Sequence, residues 1–217
     1  MFSAVAVLAL GAQVAGGCGD GGIVSAQLID TSTTVAFSSS TTNPGSTSPG
    51  PSSPRPSGST AVGVGDASDG TEFTDPDGTY TITLGPDWTE APNRAVKEVE
   101  QWVVADVKNG FAPNVNVLTQ DVGDMSLEDY IDLSVRQMTA LDIIDSTVID
   151  IGGGDQLGRI EYAGTLGTGT NRRALHFLAL FMVADGEAVV ATLVTGENEF
   201  DKLSAAHEPY LRTLRHI

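Results

Sequence analysis

The strongest constraint on the fold is a long apolar run near the C-terminus that a tight turn divides in two. Residues 173–184 are nearly all apolar, which predicts a central strand that other elements cover. Asp185 and Gly186 follow, and this dipeptide favours a hairpin turn because both positions accept a positive φ. Residues 188–195 then return as the antiparallel partner. The chain must therefore bury this hairpin inside a larger sheet.

Shorter patterns predict further strands. Residues 79–84 alternate polar and apolar side chains directly after the turn sequence Asp75-Pro76-Asp77-Gly78. Four other segments have strand character: 98–107, 114–119, 147–151 and 157–162. Three glycines, 152–154, join the last two strands, and the glycine-rich segment 164–170 predicts a loop.

Two segments have helical spacing instead. Ser126 fits an N-cap with the acidic Asp129 three positions later, and this helix should end before Ile143. Its apolar face comprises Leu127, Tyr130, Ile131, Met138 and Leu141. A second helical region begins at about Glu199, and Pro209 should split it. The predicted fold class is α+β, an antiparallel β-sheet flanked by helices over residues 73–217.

The only cysteine, Cys18, lies near the N-terminus after Ala15-Gly16-Gly17 and a short apolar segment, residues 5–10. Small residues before such a cysteine suit cleavage by a lipoprotein signal peptidase. We therefore predict a signal peptide over residues 1–17, with Cys18 as the lipid-attachment residue. The first basic residue is Arg55, so the segment lacks the positive start of a signal peptide, and we expect a start codon placed too far downstream.

The alternative is that the N-terminal apolar segment is merely a tail, since it is too short to span a bilayer, which needs about 20 apolar residues. Residues 18–72 are predicted to be a disordered stalk. Residues 37–60 are especially dense in Ser, Thr, Pro and Gly, a composition that cannot bury enough apolar surface to offset chain entropy.

Charge excludes some partners. The net charge is −17, which repels phosphate backbones, so nucleic acid is not an expected partner. The same charge repels anionic lipid headgroups, so contact with the membrane requires a covalent lipid anchor. We expect the protein on the extracytoplasmic face of the cell membrane.

The search for catalytic chemistry yields no motif. The sequence has no G-x-S-x-G nucleophile elbow and no phosphate-binding P-loop. His176 is predicted to be a satisfied sheet histidine, while His207 and His216 are predicted to lie on the surface. We therefore expect no enzyme activity, no metal and no cofactor.

Several polar and aromatic groups have a structural interpretation in preference to a functional one. Acidic pairs, Glu128 with Asp129 and Asp142 with Asp145, would in principle suit acid–base work, but acids at a helix start more commonly complement the dipole. An acidic cluster before the domain does not match a calcium-binding loop. Its members are Asp66, Asp69, Glu72, Asp75 and Asp77. The aromatic residues predicted for the core are Trp88, Trp102, Phe111 and Phe177.

The order of these motifs resembles a known family. Residues 80–84 followed by Gly85-Pro86-Asp87-Trp88 resemble the opening of PsbP-like domains, and residues 111–117 resemble the middle strand of the actinobacterial LpqN/LpqT lipoproteins. The resemblance covers residues 73–217. It implies a PsbP-like α-β-α fold and an envelope lipoprotein without an established common active site.

Two functions are expected ahead of a hydrolase, which ranks last because neither a nucleophile nor an oriented base is visible in the sequence. The first is a non-catalytic interaction or assembly module that docks to another envelope protein. The second is a carrier or binding protein for a lipid or other apolar ligand, held in a groove between the central sheet and the helix from Ser126.

Overall fold

The computed structural model describes residues 67–91, 99–108, 110–166 and 172–217. The predicted signal peptide, Cys18, the stalk as far as residue 66 and residues 167–170 of the predicted loop lie outside the described residues. The strands are β1 (Thr71–Thr74), β2 (Tyr80–Leu84), β3 (Thr89–Glu90), β4 (Val99–Val103), β5 (Asn114–Asp121), β6 (Asp142–Gly152), β7 (Asp155–Leu166), β8 (Arg173–Ala184), β9 (Glu187–Gly196) and β10 (Arg215–His216). The helices are α1 (Leu127–Gln137) and α2 (Phe200–Leu211).

Seven strands form the main antiparallel sheet, in the order β3-β4-β5-β9-β8-β7-β6. The predicted hairpin is confirmed: β8 and β9 pair inside this sheet, and Asp185 and Gly186 turn between them with φ values of 50° and 85°. Leu178 and Leu180 of β8 and Leu193 of β9 are completely buried. The nearly unbroken apolar sequence of β8 thus reflects cover on both faces of the sheet.

The first face is covered by α2 together with a small sheet of order β1-β2-β10. Tyr80 and Ile82 of β2 share a core cluster with Leu211 of α2 and Leu193 of β9. The sequence patterns did not predict β1 and β10. Both strands are too short to show a period, and pairing with β2 defines them.

The second face is covered by α1. The predicted N-cap is confirmed, since the backbone N–H of Asp129 donates to Ser126 Oγ at 3.1 Å and Ser126 Oγ donates to Asp129 Oδ2 at 2.9 Å. Tyr130 packs edge-on against Phe181 of β8, with ring centroids 5.2 Å apart. The predicted α+β class, an antiparallel sheet flanked by helices, is confirmed.

The prediction that Pro209 splits the last helix is wrong. Pro209 lies inside α2, which continues to Leu211. A proline in a helix interior costs about 3 kcal/mol because it lacks an N–H and crowds the preceding turn. Tyr210 and Leu211 are buried in the core directly after it, and this packing holds the last turn in helical geometry.

Some boundaries also differ from the expected ones. β6 and β7 are longer than predicted, and residues 164–166 continue β7 instead of starting a loop. β7 extends to these residues because they pair with β8, and Gly164 lies opposite Leu175 of that inner strand. β4 is shorter than predicted and ends at Val103.

Candidate functional site at the β6 edge

The main sheet ends in two unlike edges. At one end, β3 contributes only the two residues Thr89 and Glu90. At the other end, β6 runs for 11 residues and, among the described residues, pairs only with β7. The outer backbone N–H and C=O groups of such a strand can pair with another extended chain.

The exposed side chains of β6 are acidic or β-branched except for Ser146. The β6 edge surface, as we define it, comprises Asp142, Ile144, Asp145, Thr147 and Asp150, all exposed. Ile144 is 53% exposed and lies at a bulge between Ile143 and Asp145. β6 contains no Lys, Arg or Pro, the residues that commonly protect an edge strand from unwanted pairing. The protection of this long edge consists of its aspartates and its two bulges, so a strand that pairs with it must complement acidic side chains.

A charged network stands behind the β6 edge surface. Arg159 of β7 lies 2.9 Å from both Asp145 and Glu161 and 3.4 Å from Glu208 of α2. Burial acts to lower the pKa of Arg159, but its hydrogen bond to Glu161 and the charges of Glu208, Glu161 and Asp145 raise it overall. Arg212 also contacts Glu208 at 2.6 Å. The guanidinium of Arg159 thus contacts three carboxylates and links α2 to β6.

His176 lies beside this network, in agreement with its prediction as a satisfied sheet histidine. Its Nε2 is 3.1 Å from Glu161 Oε1. Its ring stacks on Phe200, the first residue of α2, at 3.5 Å and nearly parallel. These two contacts give the imidazole a structural position between β8 and α2.

His207 contradicts its prediction as a surface residue, because it is only 7% exposed. Trp88 Nε1 donates to His207 Nδ1 at 2.9 Å. Burial lowers the pKa of His207, and Asp87 opposes this shift only in part. The spacing of Phe200, Leu203 and His207 contained the signal, since it places all three side chains on one helix face.

His216 was also predicted to lie on the surface, and it is half-buried in β10. Its Nδ1 lies 3.8 Å from Asp185 Oδ2. Pairing of the C-terminal residues with β2 accounts for this burial, which the sequence pattern did not indicate.

Two members of the acidic cluster before the domain form a turn or a packing contact. Asp75 Oδ2 accepts a hydrogen bond from the backbone N–H of Thr79 at 3.3 Å, and Asp69 Oδ1 accepts one from the hydroxyl of Tyr210. Asp66 lies outside the described residues. Within the described ranges, no group of three or more His, Cys, Asp or Glu side chains is placed to hold a metal ion.

A buried polar row crosses the sheet on the α1 side and was not predicted. Gln101 Nε2 and Asn116 Nδ2 both donate to Asn114 Oδ1, at 3.4 and 2.8 Å. Asn114 Nδ2 donates to the carbonyl of Ala112 at 2.8 Å. The alternation of β5 indicated one exposed face, yet Asn114 and Asn116 are each only 2% exposed. These amides therefore join strands within the core.

The space expected to hold an apolar ligand is occupied by side chains where the structure describes it. Tyr162 and Phe177 stack at 4.7 Å in the cluster that packs under α1. An open depression lies instead at the end of the β8–β9 hairpin, and Asp121, Asp124, Asp185 and Glu187 make it acidic. The apolar-ligand alternative stays a prediction.

Neither of the described helices is long and apolar enough to cross a membrane.

Comparison with known proteins finds similarity in structure only. No protein-family model matches the sequence, and no curated protein matches it. The cyanobacterial PsbP protein (CyanoP) of Synechocystis is 16% identical, with coverage of 71% of this chain and 96% of that chain and a TM-score of 0.48.

Two other solved structures are similar to a comparable degree. The Ran-binding protein Mog1p of Saccharomyces cerevisiae is 10% identical, with 67% of this chain and 94% of that chain covered and a TM-score of 0.48. LpqN of Mycobacterium tuberculosis, involved in cell envelope biogenesis, is 13% identical, with 67% and 89% covered and a TM-score of 0.46. At these identities and scores, the similarities do not assign the chain to a family.

Proposed function

We propose that this protein is a non-catalytic docking module of the cell envelope, which binds another envelope protein while a lipid on Cys18 anchors it to the outer face of the cell membrane. The observation that carries the proposal is the β6 edge surface. In the described part of the chain, the outer edge of this long strand has no partner strand. Ile144 is exposed there, and the charged side chains of the strand are all aspartates.

The use of the titratable side chains supports a non-catalytic role. General acid–base chemistry requires a group that is free to exchange a proton with a substrate. Here Arg159 contacts Asp145, Glu161 and Glu208, and His176 contacts Glu161. These groups contact one another and join β6, β7, β8 and α2, which is a structural role.

The N-terminal sequence supports the anchored location. Its Ser, Thr, Pro and Gly content favours a tether, and a flexible chain of the length of residues 18–66 spans roughly 40 Å. Several acyl chains hold a protein firmly at the membrane, where one chain binds marginally. A docking module on such a tether reaches neighbouring proteins and needs no basic, membrane-binding face of its own.

Capture from membranes tests this function. The lipidated full-length protein would be cross-linked in intact cells and purified beside an unrelated lipoprotein of similar abundance, and the attached proteins would be identified by mass spectrometry. We expect one envelope protein to be enriched with this protein alone. Recovery of the same set of proteins with both baits would contradict the proposal.

A further inference from the structure

We propose that the β6 edge surface binds an extended, basic segment of the partner protein, which adds to the main sheet as an outer strand beside β6. This inference rests on the proposed docking function and names the binding face and the chemistry of the partner segment.

The backbone of β6 offers a regular template. Between its two bulges, Asp145 to Asp150 stay in continuous register with Glu161 to Gln156 of β7. A strand of this length is about 20 Å long. β7 fixes the inner side of this stretch, so its outer N–H and C=O groups are held in position before a partner arrives. The conformational entropy lost on binding is therefore mainly that of the incoming strand.

The charge of the edge indicates what the incoming segment carries. Arg159 forms a salt bridge with Asp145. Asp142 and Asp150 form no salt bridge within the part of the chain that the structure describes. Asp150 accepts only a local hydrogen bond from the backbone of Gly152, at 2.7 Å. Two uncompensated carboxylates on a strand without Lys or Arg attract cationic side chains opposite them.

The apolar part of the edge completes the match. Ile144 is largely exposed, and Val148 and Ile149 are half-buried. β-Branched side chains on an added strand would cover these residues at cross-strand distance. The expected partner segment therefore carries Lys or Arg opposite Asp142 and Asp150 and β-branched residues opposite Val148 and Ile149.

The charge pattern argues against the two occupants that this chain itself offers. In a second copy, β6 would bring the same aspartates to the interface, and both chains carry a net charge of −17. The N-terminal residues 1–66 contain a single basic residue, Arg55, so they do not complement the edge either. A basic segment from a different protein fits better than either.

Two synthetic peptides probe the edge directly. The first carries Lys at the positions opposite Asp142 and Asp150 and Val or Thr at the others, and the second is identical except for Glu at every Lys. Affinity for the full-length chain would be measured by fluorescence anisotropy at low salt, and amide hydrogen exchange would locate the bound peptide. We expect the Lys peptide to bind at least about tenfold more tightly and to slow exchange at amides of β6.

A charge-reversed variant links the binding to the edge. Asp142→Lys combined with Asp150→Lys should weaken the Lys peptide about tenfold or more and improve binding of the Glu peptide. Asp77→Lys combined with Asp124→Lys changes the net charge equally at exposed positions outside β6, and it should retain most of the affinity. Equal effects of the two double variants would overturn the inference, as would equal binding of both peptides.

The remaining outcomes separate this inference from the proposed function. If the charge-reversed β6 variant still captures the membrane partner, docking uses another face and this inference fails while the function stands. If the Lys peptide binds β6 but membranes yield no specific partner, the edge is confirmed and the envelope-docking function fails. Exchange protection of β6 that grows with protein concentration, without peptide, would instead identify a second copy as the occupant.

Discussion

The indole N–H of Trp88 donates a hydrogen bond to Nδ1 of His207 at 2.9 Å, although the two residues are 119 positions apart in the chain. The indole also packs against Tyr210 of α2, with ring centroids 6.0 Å apart. This pair joins the segment between β2 and β3 to the middle of α2. Because the acceptor is a neutral imidazole nitrogen, the contact depends on the protonation state of His207.

Stability should therefore fall as His207 becomes protonated. Burial lowers the pKa of His207 in the folded protein, whereas an unfolded histidine titrates near 6.5. The unfolded chain thus binds the proton more readily, so the stabilisation is present above about pH 6.5 and is lost as the pH falls through the lower folded pKa. Urea unfolding between pH 7.5 and pH 5, at roughly half-unit steps, measures this loss.

His207→Gln provides the matched comparison for this prediction. The amide oxygen of glutamine can accept the hydrogen bond from Trp88 but does not titrate in this range. The difference in unfolding free energy between the two proteins should shrink or reverse toward low pH. The same pH dependence in both proteins would show that His207 is not the responsible group.

Gly158 should not tolerate a methyl group. A Cβ added at this position of β7 would overlap the ring of Phe181, its partner on β8. Gly158→Ala is expected to lower the unfolding free energy by about 1–3 kcal/mol, because the ring must leave its place against Tyr130. Chemical denaturation provides the measurement.

A second substitution tests whether the ring is the cause. Phe181→Leu in the Gly158→Ala background should recover about 1 kcal/mol relative to the sum of the two single changes. Gly196→Ala serves as a control, because a Cβ there meets only Glu199 Oε2 at 4.0 Å. Its effect should stay within about 0.5 kcal/mol. Additive effects at Gly158 and Phe181 would contradict the steric explanation.

Arg159 should contribute to stability through the carboxylates that it neutralises. Arg159→Met leaves Glu161, whose side chain is 17% exposed, without its guanidinium partner, while Glu208 keeps only Arg212. We expect a loss of about 2–3 kcal/mol, less than for a fully buried pair because water still reaches the site. Urea unfolding of the variant would show this loss.

The control for this prediction is Lys202→Met, which removes one positive charge from an exposed position of α2. It should change the unfolding free energy by no more than about 0.5 kcal/mol. Adding Glu161→Gln to Arg159→Met should restore part of the loss, because it removes the carboxylate that lost its guanidinium partner. A loss no larger than that of Lys202→Met would mean that the network is only a surface feature.

Cys18 should determine the location of the protein. Cys18→Ala removes the predicted acylation site, so the protein should lose metabolic labelling by a fatty acid and leave the membrane fraction. Ser25→Ala, another small substitution in the predicted stalk, should leave both properties unchanged. Retention of the Cys18→Ala protein in membranes, with undiminished labelling, would contradict the predicted lipid attachment.

Local patterns were sufficient for the elements whose determinants lie within a few residues. The β8–β9 hairpin follows from an apolar run and an Asp-Gly turn, and α1 follows from its 3.6-residue spacing and the Ser126 cap. The same rules did not describe α2 correctly. Pro209 is tolerated because Tyr210 and Leu211 are anchored in the core, and that anchoring depends on β2 and β9.

The candidate site was the part of the protein that could be predicted least well from the sequence. The sequence contained Asp142 and Asp145 as an acidic pair, but nothing in their spacing indicates that they lie on an outer strand. An edge is defined by which strands fail to find a neighbour, and this depends on the order of all seven strands. The contacts of Arg159 with Glu208, and of Trp88 with His207, have the same non-local origin.

Composition, period and turn chemistry thus established the α+β class, the central hairpin, the capped helix and the expectation of a lipid anchor at Cys18, because each depends on neighbours in the chain. Only the packed structure placed β6 at the open edge, buried His207 and surrounded Arg159 with three carboxylates. Those features arise from contacts between segments that are distant in the sequence. Local sequence patterns do not indicate the free energy of such contacts.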